Sequence, residues 1–151
     1  MIEKKHIELL SLNLEKSLID EIKSSSEIHE FKEGDVIINY GDSIKYVPIV
    51  LEGVLKVLKE DKDYGEGLLY YLKGGDTCSV STSCLSGFKQ SNVKAVCETE
   101  VKLILISASK MNEWMSQYES WRSFIINSYQ RRYDELFNVI NSISFDNLEQ
   151  R

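Results

Sequence analysis

The sequence predicts a mainly β domain, a sandwich or barrel-like roll, with helices before and after it. Three observations carry this. Short β-rich runs recur between residues 31 and 108, Gly-Asp pairs punctuate them, and on either side apolar residues recur at helical spacing.

Residues 1 to 30 read as helical. Ile7, Leu10 and Leu14, then Leu18, Ile19 and Ile22, fall three and four apart, and Ser24-Ser25-Ser26 breaks the pattern. From 31 to 108 the runs are Val36-Ile37-Ile38, Val47 to Leu51, Val54 to Leu58, Leu68 to Leu72, Val93 to Val96 and Val101 to Ile106. Lys56, Lys94 and Lys102 alternate with apolar neighbours, as strands with one wet face require. Gly34-Asp35, Gly41-Asp42 and Gly75-Asp76 predict turns, glycine supplying positive φ and aspartate a bond to its own downstream backbone. Pro48 lacks an N–H and is expected at a strand edge or a bulge. Residues 109 to 143 return to helical period, with Ser109 as N-cap of a short helix carrying Met111, Trp114 and Met115. Trp121, Phe124, Ile125, Tyr129, Tyr133, Leu136, Ile140 and Ile143 then form one apolar and aromatic stripe along a helix of five or six turns. Its start is expected to pack on the roll and its later part on a second copy, with Ile125, Tyr129, Tyr133, Leu136 and Ile140 as the dimer interface.

The order of these pieces resembles a known family. Phe31-x-x-Gly34-Asp35-x-Ile37, then Gly41-Asp42, then Glu52-Gly53-Val54-Leu55-Lys56-Val57 is similar to the opening of a cyclic-nucleotide-binding β-roll. Gly75-Asp76, Val93-Lys94-Ala95 and Val101 to Ile106 continue it, the helix near 118–143 resembles the dimerisation helix of Crp/Fnr-type transcription regulators, and 144–151 resembles the hinge that follows it. The resemblance covers nearly the whole chain. It implies a double-stranded β-helix (jelly roll) with N-terminal helices and a long C-terminal helix, residues 1–151 making one effector-sensing and dimerisation domain. No winged helix-turn-helix lies within these residues, so DNA contact is expected only through a domain they do not contain.

In that family the ligand cassette follows the third Gly-Asp. A Gly-Glu pair opens a short helix whose N–H groups face the cyclic phosphate, the glutamate takes the ribose hydroxyl, and an Arg-Ser/Thr pair neutralises the phosphate. Here Ser79-Val80 stands for Gly-Glu, and Gln90-Ser91-Asn92 for Arg-Ser-Ala. Val80 accepts no hydroxyl proton and Gln90 carries no charge. Lys89 is one residue away, but a slip of one turns a strand side chain to the other face. Little or no binding of cyclic AMP is therefore expected. The altered pocket is placed at Cys78, Ser79, Val80, Ser81, Thr82, Gln90, Ser91 and Asn92, where hydroxyls and N–H groups suit a small polar or anionic effector of unknown identity. A plain turn and short helix with inward cysteines is the simpler alternative.

Composition narrows the function further. Of 151 residues 42% are hydrophobic and 28% charged, as in ordinary globular proteins. The net charge of −6, with Arg131-Arg132 too small a basic cluster to grip a duplex, gives no phosphate-binding stripe. No apolar run approaches the ~18 residues of a membrane span and the N-terminus lacks a signal-peptide pattern, so no membrane contact and a cytoplasmic location are expected. Cys78, Cys84 and Cys97 are odd in number and widely spaced, which favours buried free thiols over disulfides or a metal site. A thiol redox sensor stands as an alternative, though no cation adjoins Cys78 or Cys84. A ligand-free dimerisation module is another. No catalytic triad, phosphate loop or metal motif marks an enzyme, and His6 and His29 both precede the roll.

Overall fold

A computed structural model of the chain describes residues 2–11, 13–78 and 90–149, the last five by backbone alone. Helices α1 (Lys4–Ser11) and α2 (Lys16–Ser25) come first. Strands β1 (Ile28–Phe31), β2 (Val36–Ile38), β3 (Tyr46–Glu52), β4 (Leu55–Asp61), β5 (Gly65–Leu72), β6 (Lys94–Cys97) and β7 (Val101–Ser107) follow, then α3 (Ala108–Gln117) and α4 (Glu119–Glu149). Two antiparallel sheets face each other, one ordered β1-β7-β3 and the other β2-β6-β4-β5. This is the mainly β jelly roll with flanking helices that the sequence predicts.

Some boundaries differ. Residues 28–30 are strand rather than helix, because Ile28 to Phe31 pair with Ile104 to Val101. Ser107, not Ser109, caps α3, its Oγ accepting from the Lys110 N–H at 3.3 Å. Residues 144–149, expected as a hinge-like tail, continue α4 without a break. Pro48 sits within β3, which is the edge of its sheet, so its missing N–H costs no ladder bond.

The three-stranded sheet is buried on both faces, and the two-residue strand period divides its side chains between two cores. Ile49, Leu51, Ile104 and Ile106 point to the helices, joining Leu18, Ile19 and Ile22 of α2, Met111 and Trp114 of α3, and Trp121, Phe124 and Ile125 of α4. Val50, Val101 and Leu103 point into the roll, against Leu55, Val57, Leu72, Cys78, Val93 and Cys97. The lysines that alternate in the strands pair at the surface: Lys56 with Glu98, Lys94 with Glu66, and Lys102 with Glu30 and Glu52.

All three Gly-Asp turns are built alike. The aspartate carboxylate reaches back rather than forward, accepting the N–H three residues upstream: Lys32 to Asp35 at 2.8 Å, Asn39 to Asp42 at 2.9 Å, Lys73 to Asp76 at 2.9 Å. Each turn is then clamped by one residue from elsewhere in the roll, which accepts from the glycine N–H and donates to the aspartate carbonyl. Cys97 does this for Gly34-Asp35, Ser91 for Gly41-Asp42 and Val50 for Gly75-Asp76, all at 2.8–2.9 Å. The glycine in each has φ between 82° and 91°, where other residues pay a steric penalty. Gly53 is tighter still. Its φ is 87°, and a Cβ would lie 2.1 Å from the Glu100 carbonyl oxygen.

The helical layer is pinned by polar contacts. Tyr118 donates to Glu21 Oε2 at 2.6 Å and Lys110 to Oε1 at 3.3 Å. That hydroxyl bond holds the Glu21 carboxyl below its ordinary value and pushes Tyr118 up to about 12. Glu15 and Ser120 bond each other's backbone N–H, so the starts of α2 and α4 cap one another. α1 docks through His6, 2% exposed. Its Nδ1 accepts from the Glu3 N–H at 3.2 Å, which leaves Nε2 to donate to Glu52 Oε1 at 3.1 Å. Glu52 also takes Lys5 and Lys102. The bonds from Lys5 and His6 hold its carboxyl at about 2.

Two predictions follow from these contacts. Gly53→Ala lowers unfolding free energy in urea by about 2 kcal/mol or more, because left-handed backbone strain and a backbone clash add. Gly34→Ala, with open space around it, costs only about 1 kcal/mol. Equal costs at the two positions would refute the clash. The depressed Glu52 carboxyl stabilises the fold above pH 4.5, and that stabilisation is lost as pH falls from 4.5 towards 2. Glu52→Gln therefore lowers the thermal midpoint at neutral pH, and its difference from wild type shrinks below pH 4.5. A difference constant from pH 7 to 2 would contradict the assignment.

Candidate functional site

The third turn delivers the chain into the candidate pocket. Gly75-Asp76 is followed by Thr77, buried, whose Oγ1 donates to the Pro48 carbonyl at 2.9 Å and whose backbone bridges Ile49. Cys78 comes next, fully buried in the roll interior, with the Tyr70 hydroxyl 3.7 Å from its Sγ. Ser79, Val80, Ser81, Thr82, Cys84 and Lys89 lie outside the described residues.

The far side of the pocket segment returns at the second turn. Gln90 is exposed and bridges Ser43. Ser91 is buried, its backbone clamping Gly41-Asp42 and its hydroxyl donating to the Val93 carbonyl at 2.8 Å while accepting the Val93 N–H. Asn92 is exposed. Among the described candidate residues, then, Cys78 and Ser91 carry structural bonds, and Gln90 stands at the surface with an uncharged side chain.

The long helix is where the structure adds most. The apolar stripe expected along it is two stripes. Trp121, Phe124, Ile125 and Ser128 are buried against their own roll, three and four apart, and Arg131 and Arg132 continue that face. Ile125, assigned from the sequence to the dimer interface, is 3% exposed within its own core and is not on the outer face. The reason is phase. Counting back four from Tyr129 gives Ile125, whereas counting back three gives Ile126, and it is Ile126 that faces out. The outer stripe is Ile126, Tyr129, Tyr133, Leu136, Ile140 and Ile143, spaced 3-4-3-4-3 and 39–60% exposed. That is the a/d spacing of a heptad repeat. Phe137 and Val139 flank it and are exposed as well.

Arg131 and Arg132, a plain basic pair in the sequence, both face the roll. Arg131 Nη1 pairs with Asp76 Oδ1 of the third turn. The Arg132 guanidinium lies over the Tyr70 ring at 4.0 Å and is held by Glu135 at 2.9–3.0 Å, a stacked cation–π arrangement. Helix, β5 and the entrance to the pocket segment therefore meet at one corner. Nothing in the sequence pattern marks Tyr70 or Asp76 as partners of the helix, since both contacts span more than fifty residues.

Burial pushes the thiol of Cys97, which lies outside the candidate pocket, up to about 11. Among the described residues no group of His, Cys, Asp or Glu is arranged to hold a metal, and no helix is long and apolar enough to cross a membrane.

Comparisons with known proteins agree with this architecture. No match is found among curated proteins by sequence. Among solved structures, a protein described as a Crp/Fnr-family transcriptional regulator from Eubacterium rectale superposes with a TM-score of 0.73 at 21% identity, over 90% of this chain and 63% of that one. The catabolite activator protein of Thermus thermophilus gives 0.72 at 17%, over 91% and 63%. The c-di-GMP responsive global regulator of Xanthomonas campestris gives 0.71 at 16%, over 87% and 65%. The chain thus spans a little under two thirds of the length of these regulators. The cyclic nucleotide-binding domain model matches residues 28–118, from the first strand to the end of α3. With the jelly roll, the clamped turns and the long helix in place around that match, the chain belongs to the cyclic nucleotide-binding domain family and has the fold of Crp/Fnr transcriptional regulators.

Proposed function

We propose that the chain is the effector-sensing and dimerisation part of a Crp/Fnr-type transcription regulator that does not answer to cyclic AMP. One observation carries the dimer. From Tyr133 to Ser144 every described side chain of α4 is exposed, so the helix projects off its own roll. Isolated helical segments of this length are marginal in water, and a heptad seam left open to solvent marks an interface. The seam from Ile126 to Ile143 runs about 25 Å along the helix at 1.5 Å per residue. A second copy of the same helix offers the same heptad, which is the self-complementary contact of a two-fold dimer. The dimer therefore forms through Ile126, Tyr129, Tyr133, Leu136 and Ile140. DNA contact is assigned to a winged helix outside residues 1–151, since these residues carry net negative charge.

The loss of cyclic AMP rests on Val80 and Gln90, which replace the family's ribose-binding glutamate and phosphate-binding arginine. A bond to a charged group is worth about 1.5–3 kcal/mol, so two such losses weaken binding by about two to four orders of magnitude. The fold accommodates other effectors, as the c-di-GMP responsive neighbour illustrates.

Replacing Leu136 and Ile140 together by Asp turns the dimer into a monomer in sedimentation equilibrium, raising the dissociation constant at least about 100-fold, with the β-rich circular dichroism retained. A wild-type chain that stays monomeric at high concentration refutes the dimer. Calorimetric titration with cyclic AMP shows no saturable heat in the micromolar range. Micromolar binding refutes the effector assignment.

A further inference from the structure

The third Gly-Asp turn is gripped from three sides. Val50 of β3 clamps its backbone, donating to the Asp76 carbonyl and accepting from Gly75 at 2.8–2.9 Å. Leu9 of α1 lies over Gly74 and Gly75, close enough that a Cβ on either glycine would stand 3.5 Å from its methyl carbons. Arg131 of α4 pairs with the Asp76 side chain. Among the described residues, the backbone clamps of the first and second turns come from the roll, from Cys97 and Ser91. Among the described residues, this turn alone of the three touches both helical ends of the chain.

Its carboxylate does two jobs with two oxygens. Oδ2 accepts the Lys73 N–H and so shapes the turn, while Oδ1 takes Arg131. Asp76 is only 15% exposed as a side chain, so the pair is partly shielded from the screening that makes surface ion pairs worth little. A shift of the turn moves the anchor of the helix. A shift of the helix pulls on the same carboxylate that closes the turn, one residue before Thr77 and two before Cys78.

We propose that Arg131 and Asp76 are positioning residues that couple the entrance of the effector pocket to the long helix, with the third turn as the junction. The proposal rests on the sensing and dimerisation reading for the meaning of that coupling, and it assigns no ligand contact to either residue. Arg132, stacked on Tyr70 beside Cys78, steadies the same corner.

Coupling of this kind is reciprocal, and hydrogen exchange on the full chain measures it at both ends. Asp76→Asn keeps an oxygen for the Lys73 N–H but removes the charge that holds Arg131. Arg131→Gln leaves the turn sequence untouched. The expected result is that Arg131→Gln speeds exchange of the Lys73, Gly75 and Asp76 amides about three- to tenfold. Asp76→Asn speeds exchange of helix amides 128–135 by a similar factor. The double variant is then no faster than either single one, the mark of a shared interaction in a double-mutant cycle. Arg131→Lys retains part of the protection. Effects confined to the mutated element, or additive in the double variant, overturn the proposal. The readout does not need a dimer: a chain that is monomeric at every concentration refutes the dimer reading and leaves the exchange result to decide this one.

Discussion

Three bends in the roll, the Gly-Asp turns, are each closed by a pair of opposed hydrogen bonds to a single distant residue. Cys97, Ser91 and Val50 each accept from a glycine and donate to the following aspartate's carbonyl. Two bonds to one residue fix both the position and the direction of the turn relative to the strand it meets. A jelly roll needs this because its strands are short and its pairings lie far apart in sequence, so closure entropy must be offset by contacts that form together. The turn aspartates satisfy the local backbone by bonding upstream, which leaves the glycine N–H free to reach out. Local turn chemistry and long-range sheet closure thereby reinforce each other.

The double burial of β3 and β7 follows from that closure. With the second sheet held on one face and the helices on the other, alternate side chains of one strand serve different cores: Ile49 and Leu51 outward, Val50 inward. Val50 is also the residue that clamps the third turn, so the roll interior, the sheet and the turn leading into the candidate pocket share one backbone segment. Among the described residues the thiols of Cys78 and Cys97 are buried, and Cys97 is harder to ionise than a free cysteine.

Much of this was legible in the sequence, because it rests on local pattern. The Gly-Asp pairs, the β-rich runs with alternating lysines, and the three-and-four spacing of α2 and α4 each report a period or a backbone need that a few neighbouring residues reveal. What the sequence hid is phase and distance. Ile125 and Ile126 are both apolar and adjacent, and only the orientation of α4 on the roll decides that the first is core and the second is exposed. Arg131 reads as a solvated charge until Asp76, fifty-five residues away, is brought beside it. Ser109 reads as the cap in the sequence, yet Ser107 fills that place, and the two hydroxyls lie 3.2 Å apart. The tail from 144 resembles the family's hinge in sequence, yet the helix runs through it unbroken to Glu149.

The long helix serves two surfaces because their periods differ. Its roll-facing residues, Trp121 to Arg132, follow the 3.6-residue turn of a straight helix. The seam from Ile126 to Ile143 follows 3.5, and the two drift apart by about 20° in every heptad. Over the first turns both fit on one helix, the core face beside the seam. By Arg132 the roll-facing stripe has run out of apolar residues, and what continues it is charge: one arginine on a carboxylate, the other stacked on a ring. Such contacts hold a helix in place at lower cost to rearrange than an interdigitated core, which loses packing on any shift. A helix anchored by packing at its start and by two arginines at its middle can change its angle at the arginines without unfolding the core. That places the adjustable part of the structure next to the third Gly-Asp turn, where, on the proposed sensing reading, a bound effector would have leverage.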